Sequence, residues 1–367
     1  LSFFQLFSRY LSIYQRITVA SIFDNLFPKI AGLTAFVCFV YLGLTKEISL
    51  FVFASFFGLS LAGIFFYFLK FSKIPKKLNL IFIKDTSLRK EIFTYSFFVL
   101  LGAFGSMLAL RIDNFMITEL LGEKPNGIYS TIISIIGVLS IPMAGVFSIF
   151  TPMIAKLIDE ENFSDLNKIF QKSSMFLFLV GCFLFVGMLS GLEYLFEIIK
   201  NGHELKANYQ VFVIVGVATL FDIATGFNSQ IIAMSKYYRF SVYTMLFLAI
   251  ITVVLNIIFI KYFHLELLGI ALATGISLLS YNIIKLLYIY SKFKVHPFSK
   301  NYVWIILTSV IAFFISYYIP EFENKYINLI YKPSVVLTVF LMFNFLFNFF
   351  PISQLRKGNL KTLLIGK

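Results

Sequence analysis

With 59% of its 367 residues hydrophobic, 13% charged and a mean hydropathy of +0.88, the chain cannot clothe a water-exposed surface; soluble domains carry about 25% charged residues. This excludes a soluble enzyme or binding module and calls for an integral membrane protein. The net charge of +13 points to nucleic acid only until its distribution along the chain is read.

A hydrocarbon core about 30 Å thick is crossed by about 20 helical residues. Ten stretches qualify, at 22–42, 48–69, 93–121, 127–150, 173–192, 209–233, 241–260, 267–290, 302–319 and 333–350. Residues 1–21 read as the end of an earlier helix plus a basic turn. Because the chain starts at Leu1 without a signal-peptide pattern, it reads as a fragment. Thr45, Lys46 and Glu47 separate the first two spans, and Glu321 to Lys332 the last two. The connection 70–92 is the longest and divides the chain. The expected organisation is therefore 1–91, the end of a first helical lobe plus a basic linker; 92–290, a second lobe of six spans; and 291–367, two further spans and a basic tail.

Assigning Lys and Arg to alternate connections puts 22 on one side and 7 on the other, with Lys29 and Arg111 inside spans. That asymmetry is the positive-inside rule, and it predicts both termini in the cytoplasm. It accounts for the basic charge without nucleic acid. Basic and apolar residues interleaved in 70–90 suit an anionic lipid surface. Cys38 and Cys182 lie in apolar runs and form no disulfide framework.

Small residues recur at helix-contact spacing: Gly187 and Gly191, Ala54 and Gly58, Ser140 and Ala144, Ala271 and Gly275. Most of these read as ordinary helix packing. Pro28, Pro142 and Pro152 lie in or near the ends of spans, where each removes a backbone donor.

Intramembrane charges are the main functional clue. In the third span Gly102, Ser106, Ala109 and Asp113 share one helical face, with Asp113 roughly 12 Å inside the span's end. Arg111 points to another face. After this span the chain makes a polar turn, Gly122 to Asn126, and re-enters an apolar stretch at Gly127. Asp113 reads as a proton or cation group and Arg111 as a receptor for an anionic substrate. The alternative is that both neutralise partners on neighbouring helices, or that Arg111 snorkels. In the sixth span Asp222, Thr225, Gly226, Ser229 and Ala233 form a second stripe, with Asp222 a candidate proton carrier or structural partner. In the first span Asn25 and Lys29 lie one turn apart. Lys29 could receive a phosphate, or equally form a salt bridge or snorkel. Asn228, Asn256, Asn282 and Asn344 read as interhelical hydrogen-bonding groups.

The sequence has no GxxxxGK[ST] loop, no HExxH and no GxSxG elbow, and His203, His264 and His296 are scattered. The expectation is a non-enzymatic protein without cofactor or metal site.

The stretch from Arg111 to Ser130 resembles the polysaccharide-exporter branch of the MATE-like flippase superfamily. The resemblance rests on Asp113, then Leu121 and Gly122, a short turn, and Gly127, Ile128, Tyr129 and Ser130 opening the next span. Pro152 and the run Gly226, Phe227, Asn228 to Ser235, Lys236 and Arg239 add to it. It implies an all-α integral membrane fold in two lobes, with these ten spans matching helices 5–14 of fourteen and the first lobe incomplete. A pairing of Leu121, Gly122, Gly127 and Ile128 with Leu267, Leu268, Gly269 and Ile270 is a weak internal echo of such duplication.

The function implied is transfer of undecaprenyl-pyrophosphate-linked oligosaccharide across the bacterial inner membrane for O-antigen or other surface polysaccharide. Its partners would be the bilayer, that lipid-linked substrate and polysaccharide polymerase machinery. Only Asp113 and the Gly122/Gly127 turn match the resemblance residue by residue. Arg111, Lys29, Asn25 and Asp222 rest on charge and depth. A MATE-type multidrug or cation antiporter is the main rival. A membrane glycosyl polymerase would need a larger outer loop, and a scaffold would not need the buried charges.

Overall fold

The computed structural model describes Phe7 and residues 22–71, 85–199 and 202–347, and among these all regular structure is helical. The predicted earlier-helix remnant 1–21 (apart from Phe7), most of the 70–92 linker, and the basic tail beyond Phe347 lie outside the described residues. The chain forms two compact units, Leu1–Arg89 and Lys90–Lys367.

In the first unit a π-helical turn, Ile22–Leu26, leads into α1 (Phe27–Val40), and α2 runs from Lys46 to Phe71. Pro28 sits in the first turn of α1, where its missing N–H costs nothing. Gly43, at φ +62°, provides the left-handed residue that lets the chain turn back into α2. Glu47 in the first turn of α2 and Lys70 in its last complement the helix dipole. Ala31 and Ile64 are the buried centre of this hairpin.

The second unit is a bundle. Its elements are α3 (Thr86–Leu121), α4 (Glu123–Ile136), α5 (Ile141–Asp159), α6 (Phe163–Ile198) and the short α7 (Gly202–Ala207). They continue with α8 (Tyr209–Ala224), the short α9 (Asn228–Ala233), α10 (Tyr238–Ile257), α11 (Glu266–Phe293), α12 (Asn301–Tyr318) and α13 (Lys325–Phe347). Within the described residues each of the ten expected stretches falls mainly on helix, the stretch 209–233 with a break. Seven helical stretches among the described residues are long and apolar enough to cross a membrane, six of them in this unit.

Three local features differ from the sequence expectation. The polar turn after α3 is a single residue: Gly122, at φ +101°, reverses the chain, and Glu123 to Asn126 already form the first turn of α4. Residues 123–159 are helical throughout but pass through a 3-10 segment, Gly137–Ser140, immediately before Pro142. The expected span 209–233 is broken at Gly226, whose φ of +55° ends α8 before α9 begins. The stripe from Asp222 to Ala233 is therefore not one helical face. The turn is tight because a Cβ on Gly226 would stand 2.0 Å from Ser174 Oγ.

Helix α6 is the spine of the bundle, packing against α5, α8, α12 and α13. Asn162 caps it, accepting from the Asp165 N–H at 3.2 Å. Its Gly187/Gly191 pair is a packing site, since a Cβ at Gly191 would meet Pro333 Cγ of α13 at 3.3 Å. Gly275 of α11 likewise faces Ile214 and Ala218 of α8. The main core runs from Ile117 to Val295 and is rich in Phe and Ile.

Candidate functional site

Gly122 folds α4 back along α3, and this brings Tyr129 beside Asp113. Asp113 is buried, 8% exposed, and accepts three hydrogen bonds from three other helices. Asn256 Nδ2 of α10 donates to Oδ1 at 2.8 Å, Thr274 Oγ1 of α11 to Oδ2 at 2.7 Å, and the Tyr129 hydroxyl of α4 to Oδ2 at 3.2 Å. Tyr129 and Thr274 are themselves 3.2 Å apart. The three donors are neutral, and no ion pair involves Asp113 among the described residues. Asn256 Oδ1 is buried without a hydrogen-bond partner. One amide nitrogen, which also faces Met116 Sδ at 3.5 Å, and two hydroxyls thus surround the carboxylate, so a buried acidic group is held by neutral donors alone.

A second network lies farther along α11. Asn282 Nδ2 donates to Asp222 Oδ1 at 2.8 Å, and Asn282 Oδ1 accepts from Asn228 Nδ2 at 2.8 Å. Lys285 Nζ then donates to Asn228 Oδ1 at 3.0 Å and to Ser229 Oγ at 2.8 Å. The Lys285 ammonium also stands 3.6 Å from the Tyr281 ring centroid. The broken helix at Gly226 makes this possible, because it turns Asn228 and Ser229 back towards α11. Thr274 and Asn282 lie eight residues apart on α11, roughly 12 Å along its axis. One helix therefore carries a member of each network.

Lys285 is a correction to the sequence reading, which counted it with the basic connections. It is 1% exposed within α11. The loop count grouped it with Lys292, Lys294 and Lys300 of the following connection, although position 285 falls inside the expected span 267–290. The uninterrupted apolar run to Ile289 was the signal that it lies inside. Lys332, expected in a connection, sits at the start of the third turn of α13, 3% exposed, and pairs with Glu321 at 3.1 Å. Asn228, Asn256 and Asn282 each bond across elements, as their placement in apolar spans suggests.

The remaining predicted residues are not gathered into these networks. Arg111 lies on α3 two residues before Asp113, but it is exposed and has no ion-pair partner among the described residues. Lys29 is exposed on α1, in the other unit. The side chain of Asn25 lies outside the described residues, as do those of Gly102, Ser106 and Ala109 on the predicted face of α3.

Outside the spans, the end of α6 is tied down by charge. Lys206 of α7 donates to Glu193, Lys325 to the Glu197 carbonyl at 3.1 Å, and Lys124 pairs with Glu204 at 2.8 Å. Hydrogen bonds from Tyr194 and Lys332 hold the Glu321 carboxyl below the usual glutamate range.

No curated protein sequence matches the chain. Among solved structures it is similar to the lipid II flippase MurJ in an inward-closed conformation, at 18% identity and TM-score 0.60, covering 94% of this chain and 70% of that one. It is also similar to a MATE mutant crystal structure, at 15% identity and TM-score 0.57, covering 76% and 62%. Residues 96–259, which hold Asp113, Asp222 and Asn256, match the MatE family. The chain thus shares the fold of these two structures, and the MatE match covers part of its second unit.

Proposed function

We propose that the protein is a lipid-linked oligosaccharide flippase of the bacterial inner membrane, with undecaprenyl-pyrophosphate-linked glycan as its substrate. The observation that carries this reading is Arg111: a guanidinium within α3, exposed, with no ion-pair partner among the described residues and two positions from a fully partnered carboxylate. A cation kept inside a membrane protein without a carboxylate is a functional group by default, and guanidinium matches phosphate oxygens in a fork geometry. MurJ, which the chain resembles in fold, is a flippase of a lipid-linked molecule, and this supports the same substrate class here.

In this reading Arg111 receives the pyrophosphate, and Lys29 and Asn25 of the first unit are separate candidates for phosphate binding. Asp113 couples the cycle to an ion. Its partners come from α4, α10 and α11, so a proton or small cation reaching it changes the charge at a point joining four helices. Asp222 contributes a second acidic group on the same route through α11. The termini are cytoplasmic, and the substrate passes from the inner to the outer leaflet towards polysaccharide polymerase machinery.

The test is replacement of Arg111 by Ala in the host's own protein. Loss of glycan export with normal membrane levels of the protein supports the role, and wild-type export removes it. The antiporter reading is favoured by one observation, the acidic centre at Asp113, and would leave Arg111 dispensable.

A further inference from the structure

The cavity of about 800 Å3 at one end of the second unit belongs to neither network. Four candidate spans terminate around it: Glu123–Asp159 and Glu266–Phe293 end there, and Phe163–Ile198 and Tyr238–Tyr262 begin there. Its level is therefore that of bilayer headgroups.

Charged groups of both signs line it. Lys236 and Lys292 stand 5.5 and 5.4 Å from the ring centroid of the same residue, Tyr237. Neither has an ion-pair partner among the described residues. Both ammonium groups are thus left near one ring without a counter-charge, which an anion would supply. Asp159 and Glu161, at the α5–α6 turn, form the acidic wall and likewise lack ion-pair partners among the described residues. Glu161 is held at φ +53°, a strained backbone for a non-glycine residue. Lys156, at the rim, is engaged by Glu160 at 3.6 Å. Apolar surface from Ile158, Phe163 and Met234 completes the lining.

We infer that this cavity binds the headgroup of a zwitterionic phospholipid bearing a primary amine, its phosphate between Lys236 and Lys292 and its ammonium against Asp159 and Glu161. A purely anionic ligand would leave the acidic wall unmet, and a purely cationic one would leave the two lysines opposed. The apolar surface receives the glycerol and upper acyl carbons. This site is independent of the flippase reading and needs no residue assigned to it.

The test titrates the purified full chain in detergent with phosphatidylethanolamine, phosphatidylglycerol and phosphatidylcholine, with binding read by native mass spectrometry. The ethanolamine lipid is expected to bind tightest, because only it supplies both a phosphate and N–H donors. Lys236→Gln with Lys292→Gln should weaken its binding about tenfold, the loss of a charge-assisted contact. Lys236→Arg with Lys292→Arg should retain it, which separates charge from misfolding. Asp159→Asn with Glu161→Gln should erase the preference over phosphatidylglycerol. Free phosphoethanolamine should compete, but more weakly than the lipid. Equal binding of the three lipids, or ethanolamine-lipid binding unchanged in the Gln pair, overturns the proposal. Tighter binding of the soluble compound overturns the lipid source.

Discussion

Asn256 donates to Asp113 at 2.8 Å across 143 positions of sequence, and this bond joins the third and tenth helices at a buried carboxylate. The same amide leaves its oxygen, Asn256 Oδ1, buried without a partner. One side chain therefore satisfies the carboxylate while its own acceptor goes unmet.

Asp113→Ala should destabilise the protein by about 1–3 kcal/mol, because Asn256, Thr274 and Tyr129 lose their common acceptor in a buried place. Asp113→Asn keeps the volume but presents an NH2 to groups that already donate. It should fold with a smaller loss and still fail in transport. Thermal unfolding in detergent and glycan export in the host read the two effects separately. An Asn variant that exports normally removes the ion-coupling role.

Gly226→Ala should cost about 1–3 kcal/mol, since the residue sits at φ +55° and the added methyl would stand 2.0 Å from Ser174 Oγ. The effect should reach the second network, because this turn aims Asn228 and Ser229 at Lys285. A melting temperature equal to wild type would show that the break between α8 and α9 is not required.

How much of this was legible in the sequence differs by feature. Hydropathy found the long helices, since an apolar run of span length has few other uses, but missed the short α7 and merged α8 with α9. Asp113 was legible because a carboxylate in such a run is conspicuous, but its partners were not: Tyr129, Asn256 and Thr274 lie 16 to 161 positions away. The broken helix at Gly226 was hidden because a glycine in a helical pattern is tolerated, and only the close approach to Ser174 shows why a turn is made there. Like Lys332, Lys285 was misplaced by the loop count. Loop charge statistics treat a basic residue near a span end as solvated, and this one is fully partnered inside the bundle.

Lys285→Met should lower stability by about 1–3 kcal/mol, because the methionine matches the length of the lysine stem but takes a donor from both Asn228 Oδ1, which keeps only Ser229 Oγ, and Ser229 Oγ itself. Lys285→Gln, which can still donate, should recover part of the loss. If Met and wild type unfold together, the buried ammonium contributes nothing to the fold.

The Glu321–Lys332 pair should make stability depend on pH in a defined direction. Hydrogen bonds from Tyr194 and Lys332 depress the Glu321 carboxyl in the folded state. The stabilisation is then present above the unfolded glutamate value and is lost as pH falls through the lower folded value. Wild type should therefore exceed Glu321→Gln in melting temperature near neutrality, and the gap should close in acid. A gap that widens on acidification contradicts the pairing, as does one that never appears.

The most direct test of the flippase reading is the fate of lipid-linked glycan in a host whose own gene carries Arg111→Ala. The reading predicts accumulation of lipid-pyrophosphate oligosaccharide on the cytoplasmic side and loss of surface polysaccharide, with the variant protein still in the membrane. Normal glycans in that strain, together with new sensitivity to cationic drugs when the gene is deleted, would contradict it and point to an antiporter.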